Sequence, residues 1–268
     1  MIPMDTIDKL GEVFASLESF LPSLTEEQWK TPSQLPGWSV QDNLSHIIGT
    51  ERGLFGMPDT GHRATDLSNT KNPIGEMNEH HVDYRRGWPG TQVLDEFLEL
   101  AARRMEQLRT ADEAYFATES MTPTGPGTIA DFLHIRVLDT WIHEQDMRRA
   151  LGIPGHRGGP AAEHTVDRLI RTVPIVVGKR AATPEGQSVV IRITGSVERT
   201  IVTTVREGRA QTGGEAPAAP LCSIELDSDV FLQLATGRGE PGALTTQCIV
   251  SGDADHARKV LLQFNMMI

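Results

Sequence analysis

The residues with the clearest chemical potential lie in the segment RVLDTWIHEQDMRRALG, from position 136 to position 152. Arg136, Asp139, His143 and Asp146 are spaced by three, four and three residues. At 3.6 residues per helical turn, this spacing places all four on one helix face, within about 80° of each other. Asp139 and His143 lie one turn apart, and a carboxylate and an imidazole suit zinc or another divalent first-row metal.

Two ligands on one helix do not complete a metal site, so a third must come from another element. His46 is the strongest candidate, because it lies beside apolar residues in the second helical segment, VQDNLSHIIGTE. One His from one helix, with an acid and a His from another, would leave a coordination position open for water or substrate. An open position is typical of catalytic rather than structural zinc sites.

The same residues also allow readings without a metal. The polar stripe would then face solvent, His46 would be a hydrogen-bonded core histidine, and Asp139 with His143 would form a buried hydrogen-bonded pair. Arg136 and Asp146 either orient Asp139 and His143 or form ordinary helix salt bridges.

The remaining polar and aromatic candidates have simpler expected roles. Trp38 and Trp141 are expected to pack in the core, and His134 is expected to be structural. The other histidines, including His156, are expected to be solvated.

Helical spacing of apolar residues predicts the elements that position these side chains. A first helix is predicted over residues 4–21, and a second over about 40–55, begun by Ser39 and Asp42 as a capping box. A third helical region is interrupted at GWPG, and a fourth helix runs from about Thr128 to Leu151 with Gly152 as its C-cap. Residues 1–152 are therefore predicted to form an all-α four-helix bundle.

One connection in this bundle is unusually long. Residues 57–75 are polar and rich in Gly, Asp, Thr and Asn. A segment of this length and composition is either disordered or a lid over a site, and we expect it to cover the open side of the metal site.

The pattern changes after a Gly- and Pro-rich linker at residues 152–160. SVVIRITG and RTIVTTVREG alternate β-branched with polar residues and predict a hairpin. LCSIELDSDVFLQLATGR and QCIVSGDADHARKVLLQFN each predict a strand followed by a helix. Residues 160–268 are therefore predicted to form a smaller α+β domain, with helices on one face of a mostly antiparallel sheet.

Composition narrows the classes of function. The chain has 268 residues and a formal net charge of −11, which disfavours binding to nucleic acid or to an anionic membrane. No apolar run approaches the roughly 20 residues that span a bilayer, and MIPMDTIDKLGEVF lacks the pattern of a secretory signal. Cys222 and Cys248 are expected to be reduced, buried thiols, so a cytoplasmic location is predicted.

Four segments together resemble a known family. LPGWSVQDNLSHIIGTE and RVLDTWIHEQDMRRALGIP, with FLQLATGRG and VSGDADHARKVLLQFN near the C-terminus, are similar to the mycothiol-dependent maleylpyruvate isomerase family. That family is a branch of the DinB/YfiT-like metal-binding bundles with a C-terminal companion domain. The resemblance covers nearly the whole chain.

The resemblance implies a zinc site formed by His46, Asp139 and His143. The family acid is usually Glu, and the shorter Asp139 moves the carboxylate back by about one methylene. Asp139 would then either ligate after a small helix shift, weaken the site or change the metal. The resemblance also implies mycothiol as the thiol cosubstrate: its thiolate adds to an activated double bond, rotation follows, and the thiol is expelled. Other members would transfer the thiol to electrophiles.

Arg238, in ATGRG after a predicted helix, is the candidate catalytic residue, because its guanidinium is suited to a substrate carboxylate. The alternative is a surface Arg that closes a helix C-terminus. At the level of the whole protein, the alternative to an enzyme is a small-molecule-binding or sensing protein that has kept the metal-binding bundle and lost the reaction.

Overall fold

The structure, a computed structural model, describes residues 1–267 and divides into two compact units. The first unit spans Met1–His156, and the second begins at Arg157, inside the segment predicted as a linker. The first is mostly helical and the second contains a five-stranded sheet, which confirms the predicted fold class. Among residues 1–267, no helix has the length and apolar character needed to cross a membrane.

The first unit contains seven α-helices and one short β-hairpin. Their bounds are α1 Met4–Phe20, α2 Glu26–Trp29, α3 Val40–Leu54, α4 Pro73–Arg86, α5 Gly90–Thr110, α6 Glu113–Ala117, β1 Glu119–Thr122, β2 Gly125–Thr128 and α7 Ile129–Leu151. The third predicted helical region is two helices, α4 and α5, which meet at the GWPG break. The hairpin of β1 with β2 differs from the all-helical prediction for this unit.

Four long helices pack in the cyclic order α1, α7, α3, α5, and α4 packs on the outside of α3. Apolar side chains from these helices fill the interior; Phe14 of α1, for example, meets Phe97 of α5 edge to face at 5.6 Å. Gly49 of α3 lets α4 approach closely, since a Cβ at this position would lie 2.4 Å from the Cβ of His81.

Local sequence sets the ends of the two helices that carry the candidate ligands. Ser39 and Asp42 form the predicted capping box at the start of α3, and Thr128 and Asp131 form another at the start of α7. Gly152 ends α7 with φ of 65°, a left-handed conformation that glycine adopts without steric cost.

The second unit is an α+β domain. Its elements are α8 Pro160–Ile170, a π-helical segment Ile175–Arg180, β3 Ser188–Thr194, β4 Arg199–Arg206, β5 Arg209–Thr212, β6 Cys222–Asp227, α9 Ser228–Thr236, α10 Pro241–Thr245, β7 Ile249–Gly252 and α11 Ala254–Leu261. The predicted hairpin is β3 with β4.

The five strands lie in the order β5-β4-β3-β6-β7, and every pair is antiparallel except β3 with β6. In that parallel pair Ile191 lies beside Ile224 and Ile193 beside Leu226, all of them buried. Helices α9 and α11 pack against these central strands. The core of the second unit therefore lies between one sheet face and its helices.

Both cysteines are free thiols in this second unit. Cys222 is buried as expected, whereas Cys248 is only half-buried. Burial raises the pKa of both thiols to about 11, so at neutral pH neither carries appreciable thiolate, the nucleophilic form.

Candidate metal centre

The structure brings the three predicted ligands together from two helices. Nε2 of His46, on α3, lies 3.1 Å from Oδ2 of Asp139 on α7. Nε2 of His143, one turn further along α7, lies 3.6 Å from Oδ1 of the same carboxylate. The two imidazole rings are 4.6 Å apart between centroids. Their proximity shows that α3 and α7 have the register that the sequence prediction required.

The donor set and its spacing suit a divalent cation. Ligand atoms of the three residues all lie within 4.8 Å of one another. Nitrogen and oxygen ligands placed tetrahedrally about 2.1 Å from zinc would lie about 3.4 Å apart. The two measured separations, 3.1 Å and 3.6 Å, fall on either side of that value. The alternatives without a metal have mixed support: Nε2 of His46 lies within hydrogen-bond distance of Asp139, as a hydrogen-bonded core histidine would, whereas 3.6 Å between His143 and Asp139 is too long for a hydrogen bond.

Asn43 fixes the orientation of the His143 ring. Its amide nitrogen donates to the carbonyl of Ser39 at 2.8 Å and to Oγ of Ser33 at 3.2 Å, so its oxygen must face the other way. That oxygen lies 2.8 Å from Nδ1 of His143, whereas Asp146 is more distant, with Oδ2 at 3.5 Å. A proton on Nδ1 donated to Asn43 leaves the Nε2 lone pair free for a metal.

His46 is held in the neutral form that a metal ligand needs. Burial lowers the pKa of His46 to about 4, even though the neighbouring Asp139 opposes the shift. Its Nδ1 is buried without a hydrogen-bond partner among the described residues, and its Nε2 is the ring atom that faces the carboxylate. The ring is therefore presented to Asp139 by packing rather than by a hydrogen bond at Nδ1.

Asp139 is the most accessible of the three, with 20% of its side chain exposed against 6% for His46 and 8% for His143. Burial would raise the pKa of Asp139, but His46, Arg136 and His143 together hold it well below its usual value. Nη1 of Arg136 donates to Oδ2 at 2.6 Å. The carboxylate is therefore ionised and open to solvent on one side.

Trp38 forms one wall of the cluster and was expected only to pack. Its ring centroid lies 5.3 Å from that of His46 and 5.8 Å from that of His143. The indole N–H donates to Oε2 of Glu79, a buried carboxylate on α4, at 2.9 Å. Trp141, by contrast, is a buried core residue, as predicted.

The polar connection between α3 and α4 is anchored on this wall. Asn69 donates to Oε2 of Glu79 at 2.9 Å, which is the same oxygen that accepts from Trp38. Further along the connection, His62 lies 2.6 Å from Asp83 of α4. The segment is therefore ordered against α4, and its role as a lid stays a prediction.

Two other predicted residues have specific surroundings. Arg238 is buried rather than on the surface, and it donates to the carbonyl of Thr236 at the end of α9 at 2.7 Å. Its role toward a substrate carboxylate stays a prediction. The expectation that His156 is solvated was wrong, because Glu144 and Glu12 contact its two ring nitrogens at 2.7 Å and 2.9 Å.

A comparison with family models identifies the N-terminal part of the chain. The model described as the mycothiol maleylpyruvate isomerase N-terminal domain matches residues 10–148, about half of the chain and a range that holds all three candidate ligands. The chain belongs to this family.

Comparisons with individual proteins establish a shared fold and do not identify the reaction. The crystal structure of the mycothiol-dependent maleylpyruvate isomerase covers 92% of both chains with a TM-score of 0.57 at 16% identity, and a mutant of that enzyme gives the same values. This likeness establishes a shared fold. The uncharacterized protein Rv0036c of Mycobacterium tuberculosis is 23% identical over 143 residues, or 51% of this chain. The match spans about half the length of that curated relative, 52%.

Proposed function

We propose that this chain is a metal-dependent enzyme of the maleylpyruvate isomerase type that uses mycothiol as a thiol cosubstrate. The observation that carries the proposal is the convergence of His46, Asp139 and His143 within 4.8 Å, in a chain of this family. Zinc is the expected metal, because two imidazoles and one carboxylate are a common catalytic zinc set that leaves a position open.

In this proposal each residue has a defined task. His46, Asp139 and His143 would hold the cation, Asn43 would keep Nε2 of His143 free of a proton, and Trp38 would exclude water from one side. When bound, the cation would lower the pKa of a thiol and favour its thiolate at neutral pH. Arg238 is proposed to bind a substrate carboxylate.

An external thiol is needed because the protein supplies no suitable one. Burial raises the pKa of Cys222 and Cys248, the two cysteines of the chain, to about 11. A cytoplasmic location, where thiols stay reduced, is part of the proposal. The substrate is proposed to be a small electrophile, which the thiol either isomerises through reversible addition or captures in S-transfer.

Turnover tests the proposal directly. The full chain, loaded with Zn²⁺, is incubated with mycothiol and either maleylpyruvate or a generic electrophile. Product should require protein, metal and mycothiol together, and His143→Ala should abolish it. Equal product from chelator-treated protein would overturn metal dependence, and equal product without mycothiol would overturn the thiol requirement.

A non-catalytic binding or sensing protein is the second candidate. Asp139 replaces the usual family Glu, and its Oδ2 already accepts a 2.6 Å bond from Arg136, so the carboxylate has less freedom to serve a reaction. This candidate predicts that the chain binds one metal ion and mycothiol, yet forms no product from either substrate.

A further inference from the structure

Four charges of alternating sign, three of them buried, lead from the bundle interior to Asp139. Arg104 on α5 donates from Nε to Oε2 of Glu51 at 3.0 Å. The other Glu51 oxygen accepts from Nε of Arg136 at 2.7 Å, and Nη1 of Arg136 donates to Asp139. The order is therefore cation, anion, cation, anion, which ends at a candidate metal ligand.

The first three charges of this row are enclosed within the bundle. The side chains of Arg104, Glu51 and Arg136 are at most 2% exposed. Glu51 belongs to α3, five residues after His46, and Arg136 belongs to α7, three residues before Asp139. Buried ion pairs often contribute little net stability compared with apolar residues of similar volume, so stability alone is a weak explanation for the row.

We propose that Glu51 is a positioning residue for the metal centre: it holds Arg136 against the Asp139 carboxylate and offsets the guanidinium charge beside the bound cation. This inference rests on the proposed metal centre. Without Glu51, the positive charge of Arg136 would oppose a divalent cation and compete with it for Oδ2 of Asp139. With Glu51 present, Arg136 can orient the Asp139 carboxylate while repelling the bound cation less.

The alternating order of charges predicts whether each substitution raises or lowers the affinity for a cation. Glu51→Gln leaves two arginines against one carboxylate, so the region gains one positive charge and cation affinity falls. Arg104→Gln removes a positive charge on the far side of Glu51, so affinity rises. Loss of a purely structural contact would instead lower stability in both variants and would not raise affinity in either.

The test is a Co²⁺ titration of the full chain after metal removal. Calorimetry gives the dissociation constant, and visible absorption reports the coordination geometry. Glu51→Gln should weaken Co²⁺ binding about 10- to 100-fold, the usual cost of losing a residue that orients a ligand. Arg104→Gln should tighten binding severalfold. The double variant Glu51→Gln with Arg136→Gln, which restores the net charge, should bind more tightly than Glu51→Gln alone.

Glu96→Gln is the matched control, because Glu96 pairs with buried Arg85 through two hydrogen bonds. Among the described residues, neither Arg85 nor Glu96 forms a hydrogen bond with His46, Asp139 or His143, so this variant should lose thermal stability and keep wild-type Co²⁺ affinity. If Glu51→Gln does not fold, Arg104→Gln decides alone: tighter binding supports the inference, and unchanged or weaker binding overturns it. Failure of the wild-type chain to bind Co²⁺ would instead remove the metal centre itself.

Discussion

Arg136 and Asp139 form an ion pair within one turn of α7, with Nη1 of the arginine 2.6 Å from Oδ2 of the aspartate. The same oxygen lies 3.1 Å from Nε2 of His46 on α3. Burial alone would lower the pKa of Arg136, but Glu51 and Asp139 raise it, so the guanidinium stays charged. A metal at this centre must therefore share the Asp139 carboxylate with a permanent cation.

Replacing Asn43 should weaken metal binding although all three candidate metal ligands are kept. Asn43→Ala removes the oxygen 2.8 Å from Nδ1 of His143, so the ring loses its preferred tautomer and orientation. We expect Zn²⁺ affinity, measured by competition with a chromophoric chelator, to fall about 10- to 100-fold. Asn43→Asp keeps an oxygen for Nδ1 of His143 but loses the donation to the Ser39 carbonyl, so it should lose thermal stability and still retain more metal affinity than Asn43→Ala. Equal losses in the two variants would count against this role.

Trp38 should report the arrival of a metal. Its ring lies within 6 Å of both imidazole centroids, at 5.3 Å and 5.8 Å, so a bound Co²⁺ or Cu²⁺ should quench its fluorescence. Trp38→Phe should lose most of the quenching while calorimetry still detects binding. Trp141→Phe, on the same helix as two ligands, is the control. Full quenching in Trp38→Phe would mean that the metal lies elsewhere.

The helices that carry the ligands could be predicted because their signals are local. Apolar periodicity, the Ser39–Asp42 capping box and Gly152 fix α3 and α7 without knowledge of the rest of the chain. The Asp-x-x-x-His spacing likewise places Asp139 and His143 together on a single helix. These features need only 3.6-residue geometry.

The residues around the ligands could not be predicted in the same way. Glu51 ends the segment LPGWSVQDNLSHIIGTE, but local spacing predicts no role for it, because its partners Arg104 and Arg136 lie 53 and 85 residues away on other helices. Asn43 had one available signal: it lies three residues before His46, on the same face of α3. Its partner on α7, however, depends on how the helices pack.

His156 should make the stability of the protein depend on pH. Burial alone would lower its pKa, but hydrogen bonds and attraction from Glu144 and Glu12 outweigh burial and raise it above 6.5. A raised folded-state pKa gives stability that is complete below the unfolded value and is lost as pH rises through the folded value. The melting temperature should therefore carry a component that falls above pH 6.5.

The His156→Asn variant isolates this component. His156 has φ of 51°, a conformation that asparagine tolerates well, so the backbone should be preserved. Scanning calorimetry from pH 6 to 9 should show a smaller fall in the variant than in the wild type. His256→Asn is the control, since burial lowers the pKa of His256. An identical pH profile in wild type and His156→Asn would contradict the assignment.

Activity should not require either cysteine. Because burial raises the pKa of Cys222 and Cys248 to about 11, neither provides a thiolate at neutral pH. Cys248→Ala should keep kcat and KM within about twofold. Cys222→Ala replaces a buried side chain with a smaller one, so the free energy of unfolding should fall by about 1–3 kcal/mol. Below its melting temperature, Cys222→Ala should keep its activity. Loss of turnover in folded Cys248→Ala would show that an internal thiol takes part.

Metal analysis of the untagged full chain tests the central claim most directly. Mass spectrometry of the purified protein should find one zinc ion or other first-row divalent ion per chain, and His143→Ala should reduce this to a small fraction. His134→Ala, on the same helix but outside the cluster, should keep the full metal content. Wild-type protein without metal, or His143→Ala with undiminished metal, would contradict the account.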